Sequence, residues 1–181
     1  MGSSSPQDHR PPYQRPDESS PEREKFEKKL RGECHCGQVV YWLSTDNPLD
    51  VKYCHCHDCQ VLHGAPFQLT AILHKADMAF ENGTKGLHFY KTGTKRAEYN
   101  LPCKVSCSQC GTFILDEGRN MVLISPSPLN LQTKQQRANF DVRRHIFYER
   151  RVKDIYDGKP KWAGLDRQSQ RLKDSGEPES E

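Results

Sequence analysis

Cysteines in three close clusters are the feature that most constrains how this chain folds. The eight cysteines include a Cys-X-Cys pair at 34–36, a Cys-X-Cys-X-X-Cys group at 54–59 and a Cys-X-X-Cys pair at 107–110. Thiolates that lie two or three residues apart converge readily on one metal ion, about 2.3 Å from each sulfur. Sulfur-rich tetrahedral sites favour zinc over magnesium or calcium. We therefore predict metal centres rather than disulfides, and zinc ahead of an iron–sulfur cluster.

The rest of the sequence is consistent with a reducing compartment. It contains no apolar run of 18 residues and no secretory signal, so we expect neither a membrane segment nor export. The expected location is cytoplasmic or nuclear, where disulfides rarely persist. Its 27 basic and 24 acidic residues give a net charge of +3, which argues against nucleic acid as a partner recognised by bulk charge.

The spacing allows a division of seven cysteines into a closed site of four sulfurs and an open site of three. The first set is Cys34, Cys36, Cys107 and Cys110. The second set is Cys54, Cys56 and Cys59. Four protein ligands are typical of structural zinc, whereas three leave a position for water or substrate. Spacing does not fix which pairs combine, and Cys103 is a candidate extra ligand that would close the second site.

The histidines near these clusters are predicted to have supporting roles. His35, His55 and His57 lie between cysteines, where side chains usually point away from the metal, so we expect them to surround the ions rather than bind them. His63 is a candidate proton carrier near the open site, because the ordinary pKa of histidine is close to neutrality.

Composition divides the chain into one domain between two polar segments. Residues 1–31 are rich in Ser, Pro and charge and are predicted to be mostly disordered, with a short helix at 21–30 after the Ser20–Pro21 start signal. Residues 32–164 are predicted to form the zinc-binding domain. Residues 165–181 are predicted to be a disordered tail, because their apolar content is again low.

Strands are predicted to dominate the domain. The expected strands are 39–43, 67–73, 87–90, 96–101, 112–116, 121–125 and 143–151. One short helix is expected from about Asp58. Strands that recur every ~8 to 15 residues with turn signals are typical of an all-β sandwich or barrel-like domain. Gly37 and Gly111 each follow a cysteine pair, where a reversal of the chain favours positive φ.

Three segments carry a resemblance to a known family. They are GECHCGQVVYWL at 32–43, YCHCHDCQVLHGAPF at 53–67 and CSQCGTFI at 107–114. Together they resemble the glutathione-dependent formaldehyde-activating enzyme family, also called the centromere protein V family. HIFYERRVKDIYDGKPKW at 145–162 is similar to a later region of the same family.

The resemblance implies a fold, two metal ions and an activity. The fold would be all-β, a tent-like arrangement of antiparallel sheets built around zinc-binding cysteine knuckles. The four-sulfur set would bind a structural zinc, and the three-sulfur set an active-site zinc. The implied activity is that of S-(hydroxymethyl)glutathione synthase, a carbon–sulfur lyase, with a thiol (glutathione) and an aldehyde (formaldehyde) as its small-molecule partners.

Two other functions stay open on the sequence alone. A non-catalytic module with two structural zinc ions would engage chromatin, nucleic acid or protein through the basic segment 143–153. A redox sensor would oxidise Cys103 and the open-site thiolates reversibly. Lys91, Lys95 and Arg96 are candidates to bind the carboxylates of glutathione, although a solvated turn explains them more simply.

Overall fold

The fold is described from a computed structural model for residues 10–17 and 25–179. The strands are β1 Leu30–Glu33, β2 Val40–Leu43, β3 Asp50–Cys54, β4 Gln68–His74, β5 Met78–Phe80, β6 Leu87–Tyr90, β7 Cys103–Cys107, β8 Phe113–Glu117, β9 Met121–Ile124, β10 Arg144–Ile146, β11 Lys161–Trp162 and β12 Arg171–Leu172. The helices are α1 His57–His63 and α2 Lys134–Asn139. The all-β class predicted from the sequence is confirmed. In the described ranges, neither helix has the length and apolar character needed to cross a membrane.

The chain divides into two compact units. Unit 1 comprises Met1–Pro48 and Ile72–Asn139, and unit 2 comprises Leu49–Ala71 and Phe140–Glu181. In unit 1, β1, β2 and β5 form one antiparallel sheet, and β6 to β9 pair antiparallel in chain order. The inward side chains alternate along the strands, as on β7, where Cys103, Val105 and Cys107 are buried. The core of unit 1 therefore reaches directly to its cysteine knuckles.

Unit 2 differs from the prediction of antiparallel sheets. Its central strand β10 runs parallel to both β3 and β11, and β12 then pairs antiparallel with β11. Parallel neighbours need long connections, and β3 and β10 are separated by most of the domain sequence. In this register His145 lies opposite Tyr53, and Ile146 lies opposite Cys54. Strand β10 is thus placed beside the second cysteine cluster.

Residues 10–17 are ordered within the N-terminal segment that is predicted to be mostly disordered. Tyr13 is buried, stacks on Phe80 with ring centroids 5.6 Å apart, and donates a hydrogen bond to Glu117 Oε2 at 2.6 Å. Burial and the neighbouring Glu117 carboxylate raise the pKa of Tyr13 well above its usual value. One buried aromatic side chain anchors residues 10–17 in a segment whose average composition is polar.

The short helix predicted at 21–30 is wrong over its described part. Residues 25–29 have no regular structure and Leu30 begins β1, where it pairs with Leu43. Leu30 is almost fully buried, so packing in the sheet outweighs the local helix signals. Residues 21–24 lie outside the described residues.

The C-terminal segment also differs from the predicted disordered tail. Residues 165–179 are described, β12 pairs with β11, and Leu172 is buried. The Tyr148 hydroxyl donates to the Asp174 carbonyl oxygen at 2.8 Å, and Arg151 donates to the Ser175 carbonyl oxygen. Backbone pairing and specific polar contacts hold a segment that has little apolar surface of its own.

Two of the predicted strands are shortened or absent. Residues 96–101 form no strand beyond an isolated bridge between Lys91 and Arg96. The strand predicted at 143–151 is only three residues long, because Phe147 adopts a left-handed conformation (φ 55°) and a 3₁₀ turn follows at Tyr148–Arg150.

Candidate metal centres

Four cysteine sulfurs converge in unit 1, on the turns after β1 and β7. The sulfurs of Cys34, Cys36, Cys107 and Cys110 all lie within 4.8 Å of one another. The Cys34–Cys36 and Cys36–Cys107 sulfur distances are 3.5 and 3.7 Å. Two cysteine pairs that are far apart in sequence thus present four sulfurs around one point. We name this group the four-sulfur cluster.

Each half of the four-sulfur cluster is a tight reversal of the chain. Gly37 and Gly111 have φ of 76° and 72°, which confirms the conformation predicted for them. The Gly37 N–H donates to the Cys34 carbonyl oxygen at 2.9 Å, and the Gly111 N–H donates to the Cys107 carbonyl oxygen at 3.0 Å. A further N–H, from Val39, points at Cys34 Sγ at 3.2 Å. Such donors stabilise sulfur as thiolate.

Thr112 supports the exposed edge of this cluster. Its hydroxyl oxygen lies 3.1 Å from Cys110 Sγ and also accepts a hydrogen bond from the His35 N–H at 3.1 Å. The hydrogen bond with the Thr112 hydroxyl lowers the pKa of Cys110 to about 5. Cys110 is therefore poised as a thiolate, the form that binds metal.

Three further sulfurs meet in unit 2, where β3 runs into α1. The sulfurs of Cys54, Cys56 and Cys59 lie within 4.8 Å of one another. Cys54 ends β3, Cys56 is the N-cap of α1, and Cys59 lies in its first turn. The Cys59 N–H donates to Cys56 Sγ at 3.4 Å, and Gly64 ends the helix in the left-handed conformation. We name this group the three-sulfur cluster.

The three-sulfur cluster is sheltered on one side. Cys54 and Cys59 are buried against Ile146, with Phe147 packed beside them, whereas Cys56 is only half-buried. The sulfurs of Cys59 and Cys54 lie 3.5 Å apart. An incoming ligand therefore has its access on the side of Cys56.

The thiols of this cluster do not ionise easily by themselves. The hydrogen bond with Cys56 raises the pKa of Cys54 to about 11, and the hydrogen bond with Cys54 raises the pKa of Cys59 further. Three negative charges at this separation repel one another unless a cation lies between them. A bound divalent ion reverses this effect and holds thiols deprotonated. The donor set therefore fits a thiophilic metal ion, and both clusters could hold one.

A buried glutamine adjoins the three-sulfur cluster. Gln68, at the start of β4, is 4 % exposed, and its Oε1 lies 3.0 Å from Cys59 Sγ. A carboxamide can accept from a thiol through oxygen or donate to a thiolate through its NH₂ group. Gln68 can therefore serve either protonation state of Cys59. No sequence pattern predicts this role, because a glutamine in a strand carries no metal-ligand spacing.

A chain of buried polar side chains leads away from the same cluster. His55 Nε2 lies 2.9 Å from His145 Nδ1, and the two rings stack. His145 Nε2 lies 2.9 Å from Asp157 Oδ2. The Lys161 ammonium group then joins Asp157 Oδ1 at 2.7 Å and Asp174 Oδ1 at 2.6 Å. We name these five residues the histidine–aspartate chain.

The carboxylate fixes the positions of the protons in this chain. Asp157 accepts from the His145 Nε2–H, so His145 Nδ1 is an acceptor and the His55 Nε2–H donates to it. His55 Nδ1 is then unprotonated, and it has no hydrogen-bond partner in the part of the chain that the structure describes. Burial lowers the pKa of His55 to about 4 and also lowers the pKa of His145. Both imidazoles are neutral at physiological pH.

Ion pairs hold the charged end of the chain together around Lys161. Burial is the largest single influence and opposes the charge on both Asp157 and Lys161, but their hydrogen bonds and ion pairs, with each other and with His145 and Asp174, together outweigh it. The pKa of Asp157 falls to about 2 and that of Lys161 rises. The Lys161 side chain is almost completely buried, with two carboxylates and the Lys159 carbonyl oxygen as its acceptors.

Comparison with known proteins places the chain in a family. The family model for the glutathione-dependent formaldehyde-activating enzyme matches residues 29–150. The chain belongs to this family. The resemblance predicted from the three cysteine segments is confirmed, and both clusters lie within the matched residues.

Two further comparisons add context. A crystal structure of a Rhodobacter sphaeroides protein is similar at 20 % sequence identity, with a TM-score of 0.46; the match covers 62 % of this chain and 96 % of that one. No curated protein matches this sequence.

The remaining candidate residues belong to neither group of converging side chains. Cys103 is buried on β7 of unit 1 and belongs to neither cluster among the described residues. His35 and His57 are exposed, and His63 is half-buried in the last turn of α1. Lys91 donates to the Leu101 carbonyl oxygen at 2.7 Å, which gives it a structural role in its turn.

The histidine–aspartate chain was missed at the sequence level. His145 lies in the strand predicted at 143–151, Asp157 lies in an irregular segment, and Lys161 begins the two-residue strand β11. Only the DGKPKW stretch, which is similar to the family's later region, could have drawn attention to Asp157 and Lys161.

Proposed function

We propose that this chain is a zinc-dependent enzyme of the carbon–sulfur lyase type, acting on a thiol–aldehyde adduct such as the one that glutathione forms with formaldehyde. The observation that carries this proposal is the three-sulfur cluster. Its sulfurs form a group of three, with no fourth Cys, His, Asp or Glu side chain among the described residues. Three protein ligands are typical of catalytic zinc, which keeps one position for substrate.

The two clusters divide the roles. The four-sulfur cluster would hold a structural zinc, because four sulfurs complete a tetrahedral shell. The three-sulfur cluster would hold the active-site zinc. Sulfur-only donor sets support zinc as the metal for both, giving two ions per chain. All eight cysteines lie in the described residues and none forms a disulfide, which supports a reducing cytoplasmic or nuclear location.

The reaction joins a thiol to an aldehyde. The thiol sulfur attacks the carbonyl carbon, a C–S bond forms, the C=O double bond becomes C–O–H, and the thiol proton ends on that oxygen. Since a free thiol has a pKa of about 8.5, little thiolate exists at neutral pH. When bound, a zinc ion would supply positive charge that favours the thiolate form of the incoming thiol. Cys54 and Cys59 are enclosed with Ile146, which excludes water from the rear of the site, and half-buried Cys56 leaves the front accessible.

Catalysis is tested by exchange spectroscopy. Carbon-13 formaldehyde and glutathione form their adduct spontaneously, and two-dimensional NMR measures the rate of exchange between free and adduct carbon. We expect the zinc-loaded protein to increase that rate in proportion to its concentration, and the metal-free protein not to. A rate equal to that of the uncatalysed mixture in fully zinc-loaded protein would overturn the proposal for glutathione.

Thiol binding is tested separately with cobalt in place of zinc. We expect the thiolate-to-cobalt and d–d absorption of protein carrying two cobalt ions to change on addition of glutathione but not of S-methylglutathione. The matched variant is Cys103→Ser: the sequence made Cys103 a candidate extra ligand, but it belongs to neither cluster among the described residues, so we expect the same response. A response seen only in Cys103→Ser would show that Cys103 closes the second site in the native protein. No response in either protein would exclude a thiol-accepting position for glutathione.

A further inference from the structure

The histidine–aspartate chain is the most unusual feature of unit 2 outside the cysteine ligands. It places two carboxylates, one ammonium group and two imidazoles in a largely buried row. We propose that His145 is a positioning residue of the three-sulfur centre, acting through His55, and that Asp157, Lys161 and Asp174 hold His145 in place. This inference rests on the proposed metal site at Cys54, Cys56 and Cys59.

The first step is the position of His55. It lies between two of the three sulfur ligands, so its orientation fixes the direction of the backbone that carries them. Its N–H donates to the Ile146 carbonyl oxygen at 3.0 Å, and its carbonyl oxygen accepts from Gln60 Nε2 at 2.8 Å. With the bond to His145, the backbone donor, the backbone acceptor and the side chain of His55 are all held. The loop between Cys54 and Cys56 therefore has little freedom while these bonds persist.

The second step is the rigidity of His145. It lies at the centre of β10, between β3 and β11, and its N–H donates to the Pro160 carbonyl oxygen at 2.9 Å. Its ring is enclosed by the aromatic rings of Tyr53 and Tyr148, at centroid distances of 5.2 and 5.4 Å. Asp157 fixes which ring nitrogen carries the proton, and this leaves Nδ1 as the acceptor that His55 needs.

The third step is the far end of the chain. Lys161 lies between the carboxylates of Asp157 and Asp174 and forms an ion pair with each. Asp174 belongs to the C-terminal segment, which is held by the bond from Tyr148 to the Asp174 carbonyl oxygen. The five side chains of the histidine–aspartate chain thus connect the C-terminal segment to the loop between Cys54 and Cys56.

The energetics favour positioning over simple packing. Buried charges contribute little net stability, because the cost of desolvation offsets their attraction, and apolar side chains of similar size would fill the same volume equally well. A buried network in which every polar side chain has its hydrogen-bond partners instead holds those side chains in one geometry. Mutating the hydrogen-bond partners of metal-binding residues typically lowers metal affinity by about 10- to 100-fold.

The experiment compares metal binding in three variants of the full-length protein. His145→Leu removes the acceptor for His55, whereas His145→Asn retains an oxygen close to the place of Nδ1. Asp166→Asn is the matched control, since Asp166 is another largely buried carboxylate of unit 2, bonded to Lys52 and Arg144 rather than to the histidines. Zinc affinity is measured by competition with a chromophoric chelator, and the site geometry by cobalt absorption.

We expect wild-type protein and Asp166→Asn to bind two ions with unchanged affinities. His145→Leu should lower the affinity for one of the two ions by about 10- to 100-fold and shift the absorption bands of cobalt bound there. His145→Asn should restore most of the affinity and most of the wild-type cobalt spectrum. The other ion, in the four-sulfur cluster, reports that unit 1 remains folded. If His145→Leu fails to fold, the same affinity loss is expected in Asp157→Asn.

Three outcomes would overturn the inference. Two ions bound with wild-type affinity and spectra in His145→Leu or Asp157→Asn would show that the chain does not position the site. An equal loss in Asp166→Asn would show a general effect of destabilising unit 2. Wild-type protein that binds only one ion would refute the proposed metal site itself, and with it this inference.

Discussion

Cys107→Ser is expected to leave unit 1 unfolded and without its metal. Cys107 is 2 % exposed at the end of β7, and its sulfur is one of only four that surround the proposed structural zinc. Structural zinc contributes about 10–16 kcal/mol of apparent binding free energy in zinc-finger peptides. A whole domain is typically stable by only about 5–15 kcal/mol. Loss of one ligand therefore removes free energy comparable to the total stability, which circular dichroism and metal analysis would show.

The matched control for this variant is Cys103→Ser. Cys103 lies on the same strand, is 3 % exposed, and belongs to neither cluster among the described residues. The same substitution there should cost about 1–3 kcal/mol, the penalty for burying a hydroxyl group with poor partners. Folding and two bound ions should persist. If Cys107→Ser proved as stable as Cys103→Ser and kept both ions, the four-sulfur cluster would not be structural.

Cys59→Ser is expected to abolish catalysis while the protein stays folded. Cys59 provides one of three sulfurs in unit 2, and losing it leaves two ligands for an ion that already has an open position. Since loss of a supporting partner alone costs up to about 100-fold in metal affinity or activity, loss of a direct ligand should reduce the catalysed exchange rate by more than about 100-fold. The exchange NMR rate should fall to that of the uncatalysed mixture, and one metal ion should remain bound.

The control for Cys59→Ser is Val61→Ser on the same helix. Val61 is 64 % exposed, so its replacement tests the effect of a serine in α1 without removing a ligand. It should retain two ions and the wild-type exchange rate. Unfolding of Cys59→Ser to the same extent as Cys107→Ser would contradict the distinction between a structural and a catalytic centre.

The three-sulfur cluster was predictable because its geometry is local. Cys54, Cys56 and Cys59 lie within six positions, so a strand end followed by a helical turn is enough to bring their sulfurs together. The turns at Gly37 and Gly111 follow from the same short-range logic. The combination of the two distant cysteine pairs in the four-sulfur cluster depends on the whole sheet. Spacing alone left that combination open, and the family resemblance supplied it.

The histidine–aspartate chain was not predictable in the same way. His55 and Asp174 are more than a hundred residues apart, and no periodicity marks a polar residue that will be buried beside another. The ordered terminal segments were missed for a related reason. Tyr13 and Leu172 are buried residues in stretches with polar composition, so an average over the segment conceals them.

The described segments 10–17 and 151–179 show that ordered structure extends beyond the residues matched by the family model. The family match ends at residue 150 and begins at residue 29. Tyr13, which fills a place in the core of unit 1, lies before it, and Asp157, Lys161 and Asp174 lie after it. A protein shortened to the matched residues would retain every sulfur ligand of both clusters yet expose the surface beneath Tyr13 and leave His145 without its carboxylate. The shortest protein that retains these contacts therefore begins at residue 10 or earlier and ends at residue 178 or later.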